Sequence, residues 1–374
     1  MDHRFKELLV LREAAENGDG TVLQITTNSG TVIHAISVAR EGFSYTGPTW
    51  TYLFESDGLT LIDAGEAGSH SRLEDGLKVA GFSPKDIDRV IITHGHEDHD
   101  GAVAELVHKA GVEVWAHEIY AHLQAYDPRS ISRRAISPIQ KEMWRVAEVN
   151  GSFPPTSPQR DEYVKRRQTL RIDHPIKANE TVGRLEILHT PGHSPDELCM
   201  KLDEVVFTGD HVLPEISPHP TMKVEFPPDI KAGLPDNYKN ADNWYGLARY
   251  LQSLKMIVDL GSQWELLPAH RYYNRGHFNF INTERAATIL DHHGQRLTDI
   301  LEKVGGEAVN LENLTRGIFA HRELLSDNLL AGLSEVVAHI EILEDLGDLE
   351  VAEDGIISAT GQSNHLLFLS ELQS

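Results

Sequence analysis

The chain contains little of several features that define whole classes of protein. It has a single cysteine, Cys199, in 374 residues, which excludes an internal disulfide and fits a reducing compartment. No apolar run approaches the roughly 20 residues that a membrane-spanning helix needs. The N-terminal sequence lacks the apolar stretch and cleavage site of a signal peptide. A cytoplasmic location without a membrane partner is therefore the simplest expectation.

Positive charge is also scarce. The chain has 34 Lys and Arg against 57 Asp and Glu, a formal net charge of −23. Binding of a polyanion depends on basic contacts, so this balance argues against a nucleic-acid partner. There is no P-loop, no G-x-G-x-x-G and no serine nucleophile elbow, which leaves nucleotide and serine-hydrolase chemistry without support. The 40% hydrophobic content is enough for a packed core.

The most informative segment is T-H-G-H-E-D-H-D-G, which starts at Thr93. It follows a short apolar run, a pattern typical of a buried strand that ends in a loop. Imidazole and carboxylate are the ligands of borderline and hard divalent metals. His94 and His96 would serve one metal, and Asp98 and His99 a second. A solvated turn that happens to be rich in histidine is the alternative, and four ligand-type residues at this spacing argue against it.

Three later segments offer further ligands, each after an apolar run. His193 follows a strand-like stretch and a Pro-Gly turn, Asp210 follows V-V-F-T-G, and His270 follows L-L-P-A. Taken singly, each is a weak signal, because a lone His or Asp at a strand end is more often a cap or turn residue. Together, and in this order, they predict a binuclear metal site.

At these residues the sequence resembles the metallo-β-lactamase superfamily of hydrolases, over roughly residues 20–280. The family pattern is H-x-H-x-D-H, then T-P-G-H, then T-G-D, then a late histidine, and all seven positions are filled. The resemblance implies two divalent metal ions. Zinc suits the imidazole-rich set, and iron and manganese stay open. The implied ligands are His94, His96 and His193 for the first metal, Asp98, His99 and His270 for the second, and Asp210 as the bridge between them.

The same resemblance implies roles for two aspartates and a reaction class. Asp63, in the early L-I-D-x-G motif, would support the ligands from outside the metal shell. Asp98 would also be catalytic, because it would orient a hydroxide that bridges the metals and attacks the substrate. Two departures, Ser-Pro-Asp-Glu after His193 and Arg271 after His270, bear on the substrate rather than on the metals.

Three functions stay open from the sequence. The leading one is hydrolysis of a small ester, thioester or lactone, with an anionic carrier favoured by a basic insertion. The second is a phosphodiesterase or endoribonuclease of the same fold. The third is a non-enzymatic ligand-sensing module. A small-molecule substrate is the expected partner, and a homo-oligomer stays open.

The order of elements predicts an α/β fold, the αββα four-layer sandwich of the family, after an N-terminal helix at about 3–16. Residues 1–282 would form this hydrolase domain. Residues 283–374 predict three helices and a hairpin, a winged-helix-like domain whose layout resembles the subgroup of β-lactamase-like protein 2 and glyoxalase II. Its 5 Lys and Arg against 17 Asp and Glu favour packing, dimerisation or a pocket wall over DNA binding.

Two insertions interrupt the hydrolase domain. Residues 120–172 carry 10 Lys and Arg against 5 Asp and Glu and exceed a simple loop in length. This basic insertion is either a lid that attracts an anionic substrate or an exposed, solvated segment that contacts a partner chain. Its main charges are Arg133, Arg134, Lys165, Arg166 and Arg167. The second insertion, from residue 211 to about 244, offers His211, Glu215, His219 and Tyr238 as pocket-bordering residues, and ordinary polar loop residues are the favoured interpretation of His211 and His219.

Overall fold

Eight strands along the first half of the chain pair in chain order into one sheet. They are β1 (Glu7–Arg12), β2 (Val22–Thr26), β3 (Val32–Val38), β4 (Thr49–Glu55), β5 (Leu59–Ile62), β6 (Arg89–Ile91), β7 (Glu113–His117) and β8 (His174–Ile176). Neighbours from β1 to β5 are antiparallel, and those from β5 to β8 are parallel. The computed structural model describes residues 4–13, 15–40, 44–152, 158–319, 324 and 328–373.

A second sheet of six strands is built from later segments. The strands that follow along the chain are β9 (Thr181–Val182), β10 (Leu185–His189), β11 (Leu198–Leu202), β12 (Val205–Gly209), β13 (Glu265–Pro268), β14 (Tyr273–Asn274), β15 (His277–Phe278) and β16 (Ile281–Asn282). The sheet order is β16-β13-β12-β11-β10-β9, while β14 and β15 form a separate hairpin. Only β12 and β13 are parallel neighbours in this sheet.

Thirteen helices are seen in the described residues. They are α1 (His70–Val79), α2 (Glu97–Asp100), α3 (Val103–Ala110), α4 (Glu118–Leu123), α5 (Pro128–Ser132), α6 (Pro138–Val149), α7 (Pro158–Gln168), α8 (Pro228–Gly233), α9 (Leu247–Val258), α10 (Glu284–Val304), α11 (Leu311–Ile318), α12 (Asn328–Asp345) and α13 (His365–Gln373). Three short 3₁₀ turns lie at Pro84–Asp86, Asp236–Tyr238 and Ala241–Asn243. Among the residues described, no helix combines the length and apolarity needed to cross a bilayer.

The two large sheets share an apolar core. Trp50 and Phe54 of the first sheet and Met200 and Phe207 of the second are fully buried in the same cluster. The rings of Phe54 and Phe207 stack with their centroids 5.1 Å apart. Burying one such side chain stabilises the fold by about 1.5–3 kcal/mol. The sheets therefore pack face to face, as the predicted order of helices and strands implies.

Helices cover the outer face of the first sheet. Leu73 and Leu77 of α1, four residues apart on one helix face, pack there together with Leu106 of α3. The buried residues of β5 to β7 meet them from the sheet. This arrangement of helices on packed mixed sheets confirms the predicted α/β sandwich class.

The described chain divides into two compact units, each built from three segments. The first comprises Met1–Pro128, Ser157–Pro218 and Ile257–Ala286, and the second comprises Arg129–Thr156, His219–Met256 and Ala287–Ser374. The second unit contains most of α10, together with α11 and α12, followed by the predicted hairpin of β17 (Leu349–Val351) and β18 (Ile357–Ala359). The winged-helix-like assignment and the boundary at residue 282 stay predictions.

The predicted N-terminal helix is wrong over the described residues, because β1 occupies this segment and pairs antiparallel with β2. The four apolar residues Leu8 to Leu11 are consecutive, and a run of this kind does not distinguish a helix from a strand. Leu8 packs against the core between the sheets, whereas Leu9 on the opposite face is 42% exposed. Pairing with the edge of β2 decides the conformation.

A buried carboxylate joins the three segments of the second unit. Glu341 on α12 accepts hydrogen bonds from Gln140 Nε2 on α6, at 2.6 Å, and from the backbone N–H of Lys223, at 2.8 Å. The same amide nitrogen of Gln140 donates to the carbonyl of Lys223. Burial raises the pKa of Glu341 to about 7. Parts of both insertions are thus tied to the C-terminal segment.

Glu341 predicts that the free energy of unfolding depends on pH. Its folded pKa of about 7 lies above the ordinary value of 4.5, so the folded state binds this proton more tightly than the unfolded state. The stabilisation is complete below about pH 4.5 and is lost as the pH rises to about 7, a change of roughly 3 kcal/mol.

The Glu341→Gln variant should lose this pH dependence, which denaturant titrations at pH 5 and pH 8 would measure. Exposed Glu302 on α10 offers a control, because Glu302→Gln should leave the wild-type pH dependence in place. An unchanged difference between pH 5 and pH 8 in Glu341→Gln would contradict the assignment.

Candidate metal centre

The predicted ligands lie beyond the C-terminal ends of strands. His94 and His96 lie in the loop after β6, and α2 then carries Asp98 and His99. Asp210 directly follows β12, His270 follows β13 by two residues, and His193 lies between β10 and β11. Because β12 and β13 are parallel neighbours, their ends meet at one edge of the second sheet.

Backbone hydrogen bonds join the two sheets at this edge. The N–H of Leu198, at the start of β11, donates to the carbonyl of Thr93 at 2.9 Å. The N–H of Trp50 in β4 donates to the carbonyl of Ala269 at 2.7 Å, next to His270. The ligand-bearing loops of both sheets are therefore held together by main-chain contacts.

The first group of side chains consists of His94, His96 and His193. His94 Nε2 lies 2.9 Å from His96 Nδ1, which lies 3.1 Å from His193 Nε2. Burial, and then the neighbouring His99, holds the pKa of His94 well below its usual range. Burial and the neighbouring His193 lower the pKa of His96 to about 3. Both imidazoles are therefore neutral, the form that binds a metal.

The second group consists of Asp98, His99 and His270. His270 Nε2 lies 3.3 Å from Asp98 Oδ2, and His99 Nε2 lies 3.9 Å from Asp98 Oδ1. Burial alone would lower the pKa of both histidines, but nearby carboxylates raise them, with Asp210 contributing most. The carboxylates around His99 and His270 thus favour a positive charge in the second group.

Asp210 lies between the two groups. Its Oδ1 is 3.5 Å from His99 Nε2 and 3.4 Å from His270 Nε2. Its Oδ2 is 3.6 Å from His193 Nε2. One carboxylate thus directs an oxygen to each group, which is the arrangement that a bridging ligand requires.

The second ring nitrogens of two of these histidines are held by the protein. His99 Nδ1 donates to Asp63 Oδ2 at 2.8 Å, and His270 Nδ1 donates to the carbonyl of Pro48 at 3.0 Å. Asp63 is itself fixed, because the N–H of Thr93 donates to its other oxygen at 2.8 Å. These bonds select the tautomer that leaves the Nε2 lone pair available.

Buried polar atoms without a hydrogen-bond partner indicate that these residues fit a metal. Nε2 of His99, Nε2 of His270 and Oδ1 of Asp210 are buried and have no hydrogen-bond partner among the residues that the structure describes. A buried polar atom without a partner costs about 1–3 kcal/mol. A divalent cation binds both imidazole nitrogen and carboxylate oxygen, and these three atoms could all face it at once.

Glu197 is a site residue that the sequence analysis missed. It is fully buried, with Oε2 3.3 Å from His94 Nδ1 and with Oε1 accepting from the N–H of Asp210 at 3.1 Å. It therefore supports one side chain of the first group and the bridging carboxylate. Its only signal in the sequence is the Ser-Pro-Asp-Glu departure after His193, where a charged residue directly precedes an apolar strand.

Arg40 is a second site residue that the sequence analysis missed, and it has no signal in the sequence. Its guanidinium lies 3.5 Å from Asp98 Oδ2 and donates to Glu66 Oε1 at 2.9 Å. Burial alone would raise the pKa of Asp98, but His270, His99 and Arg40 together hold it well below its usual range. Arg40 thus keeps the carboxylate of Asp98 ionised and oriented.

Two arginines of the basic insertion pair with carboxylates of the same chain. Arg167 is buried and pairs with Asp100, its Nε 2.9 Å from Asp100 Oδ2. The neighbouring Arg166 pairs with Glu105 and Glu162. Carboxylates of the same chain already compensate these two arginines, which favours the alternative to substrate steering for them. Steering by Arg133, Arg134 and Lys165 stays a prediction.

The residues singled out in the second insertion are divided between the two compact units, with His211 and Glu215 in the first and His219 and Tyr238 in the second. His211 is buried next to Asp210, and Glu215 accepts from Asn274 Nδ2 at 2.7 Å. In the second unit, His219 Nε2 lies 2.6 Å from Ser334 Oγ. The ring of Tyr238 packs there at 5.0 Å from that of Trp244.

Comparison with known proteins identifies the family. Residues 44–243, more than half of the chain, match the model described as the metallo-beta-lactamase superfamily. The chain belongs to this superfamily. Members of this superfamily are hydrolases, which supports the predicted enzyme class and favours it over a ligand-sensing module. The predicted subgroup within the metallo-beta-lactamase superfamily stays a prediction.

The individual relatives of this chain have low sequence identity to it. An atrochrysone carboxyl ACP thioesterase of Passalora fulva is 29% identical over 179 residues, 46% of this chain. A ribonuclease Z of Streptomyces avermitilis is 27% identical over 128 residues, 34% of this chain. The match spans 40% of the length of each relative.

A solved structure supports the superfamily fold over most of the chain. A metallo-beta-lactamase family protein of Thermus thermophilus has a TM-score of 0.62 and 22% identity, and the superposition covers 87% of this chain and 98% of that one. At this identity the likeness concerns the fold alone.

The contact between Asp63 and His99 predicts that Asp63→Asn weakens metal binding. An asparagine tolerates the left-handed backbone at this position, where φ is 57°, but its amide nitrogen cannot accept the proton of His99 Nδ1. We expect about a 10–100-fold loss of metal affinity, measured by competition with a chelator.

The exposed Asp57 provides a matched control, because its φ of 53° is nearly the same. Asp57→Asn makes the same chemical change away from the site and should leave the metal affinity unchanged. Equal affinities in the two variants would show that Asp63 does not support the metal.

Proposed function

We propose that this protein is a binuclear metal hydrolase that acts on a small ester, thioester or lactone. The observation that carries the proposal is the position of Asp210, whose two oxygens face two separate groups of ligand-type side chains. The first metal would be held by His94, His96 and His193, and the second by Asp98, His99 and His270, with Asp210 shared. Two zinc ions suit this imidazole-rich set.

The chain's own residues would do the remaining work. A pair of bound divalent ions supplies a water nucleophile at neutral pH and stabilises developing negative charge. Asp98, held by Arg40 at 3.5 Å and by His270 at 3.3 Å, would orient that water and accept its proton. Asp63 and the Pro48 carbonyl would keep His99 and His270 in one tautomer, so the site needs no rearrangement before it binds.

The substrate class rests on chemistry and on one relative. An acyl ester or thioester has an electrophilic carbonyl on which negative charge develops during attack, and a site that holds two cations can stabilise it. The relative from Passalora fulva is named as a thioesterase. We carry this class over to the chain as the first substrate to test.

A phosphodiesterase or endoribonuclease is the second candidate, and the match to ribonuclease Z favours it. The same two-metal chemistry cleaves phosphodiesters. The net charge of −23 opposes a long polyanionic substrate, because each phosphate contact needs a basic partner. Parallel assays with acyl thioesters, lactones, bis(p-nitrophenyl) phosphate and RNA separate the two candidates. Cleavage of the phosphodiesters alone would replace the acyl-hydrolase proposal.

The binuclear proposal predicts two metal ions per chain after expression in metal-replete medium. Elemental analysis of the purified protein measures this number. Asp210→Ala should remove at least one ion and reduce turnover by roughly 1,000-fold or more, since the metals generate the nucleophile, while circular dichroism shows a folded chain. A wild-type content of one ion or none would contradict the binuclear model.

His96→Ala tests the first group in the same way, with His108→Ala as its control. His108 is an exposed histidine on α3, so its loss should change neither metal content nor rate. Near-normal rates in His96→Ala would show that the nucleophile is generated elsewhere.

A further inference from the structure

Helix α7 directs one face at the loop that carries four of the seven ligand-type residues. Arg160, Tyr163 and Arg167 are spaced at i, i+3 and i+7, so they lie on the same side of the helix. Arg160 contacts Glu97 at 2.8 Å, while Tyr163 and Arg167 contact Asp100 at 2.7 and 2.9 Å. Lys165 lies on the opposite side of the helix and Arg166 lies at the flank of this face, and both are exposed.

Asp100 is the residue on which these contacts converge. It follows His99 on α2 and is buried. Its Oδ1 accepts from the hydroxyl of Tyr163, and its Oδ2 accepts from the hydroxyl of Tyr120 and from Arg167 Nε. Three donors on one buried carboxylate restrict both its position and its orientation. Because Asp100 and His99 are adjacent, the position of His99 is restricted with it.

Arg167 also reaches the other end of the ligand loop. A methyl group added at Gly95, between His94 and His96, would lie 2.5 Å from Arg167 Nη2. Only glycine leaves room there for the guanidinium. Arg167 further donates to the carbonyl of Tyr126 at 3.0 Å. A single side chain therefore packs against both ends of the loop.

An interaction of this kind is a poor source of stability alone. Removing two charges from water costs several kcal/mol each, and apolar replacements of buried ion pairs are often as stable. What a buried pair does supply is a defined geometry, since the guanidinium and the carboxylate accept few orientations. The contacts of α7 therefore contribute more to the shape of the ligand loop than to the stability of the fold.

We propose that α7, which the basic insertion contributes, is a positioning helix of the metal centre. Arg167 and Tyr163 hold the loop from His94 to Asp100 in the shape that binds metal, as positioning residues that act through Asp100 and Gly95. This inference rests on the proposed binuclear function. It gives Arg167 an internal role in place of substrate capture.

Zinc affinity in the full-length protein tests the proposal. Arg167→Met keeps an unbranched apolar stem but removes the charge and the donors of the guanidinium. We expect zinc binding, measured by competition with a chromogenic chelator, to weaken about 10–100-fold, as it does when groups that support metal ligands are removed. Circular dichroism and thermal unfolding of the metal-free protein show whether the chain is folded at the assay temperature.

Arg166→Met is the matched control, since it makes the same change one residue away at an exposed position of α7. It should bind zinc as the wild type does. If Arg167→Met does not fold, Tyr163→Phe decides the question, because it removes one donor to Asp100 at almost constant volume. Folded variants at Arg167 or Tyr163 with wild-type zinc affinity would overturn the positioning role. Fewer than two zinc ions on the wild type would instead refute the proposed function.

Discussion

The structure depends on the burial of a dense group of ionisable side chains at one edge of two sheets. Taking carboxylates and imidazoles out of water is costly unless each polar atom finds a partner. The protein supplies partners for the outer atoms, including the carbonyl of Pro48, the carboxylate of Asp63 and the hydroxyl of Thr93. The inner atoms of His99 and His270 face one another and Asp210 instead. Their electrostatics make a divalent cation the natural occupant.

Most of the site could be predicted from the sequence because its determinants are local. Each of the seven ligand-type residues follows an apolar run, and strand ends collect at sheet edges, so spacing and hydropathy suffice to bring them together. Glu197 and Arg40 could not be found in this way. Their roles arise from contacts with His94 and Asp98, which lie far from them in the chain. No local pattern marks Arg40, and the charged position before an apolar strand that marks Glu197 does not reveal its contact with the site.

The incorrect N-terminal helix and the unforeseen pairing of Arg166 and Arg167 share a physical origin. A run such as Leu8 to Leu11 has no periodicity of its own, so the neighbouring strand decides its conformation. Likewise, a count of basic residues says nothing about which carboxylates will meet them. Arg166 and Arg167 are adjacent in the chain, yet one is exposed and the other buried. Helical geometry separates them by about 100° and gives them different environments.

The discontinuous second unit affects how the protein is made. Gln140 and the backbone of Lys223 emerge from the ribosome well before Glu341, the group that satisfies them both. Until α12 is synthesised, the nascent chain carries α6 and the 219–256 segment without their final partner. Chains grow at about 5–20 residues per second, so this interval lasts several seconds. The apolar side chains of α6, Ile139, Met143 and Val146, are a natural target for chaperones during this interval, and truncated translation products would lack α12 permanently.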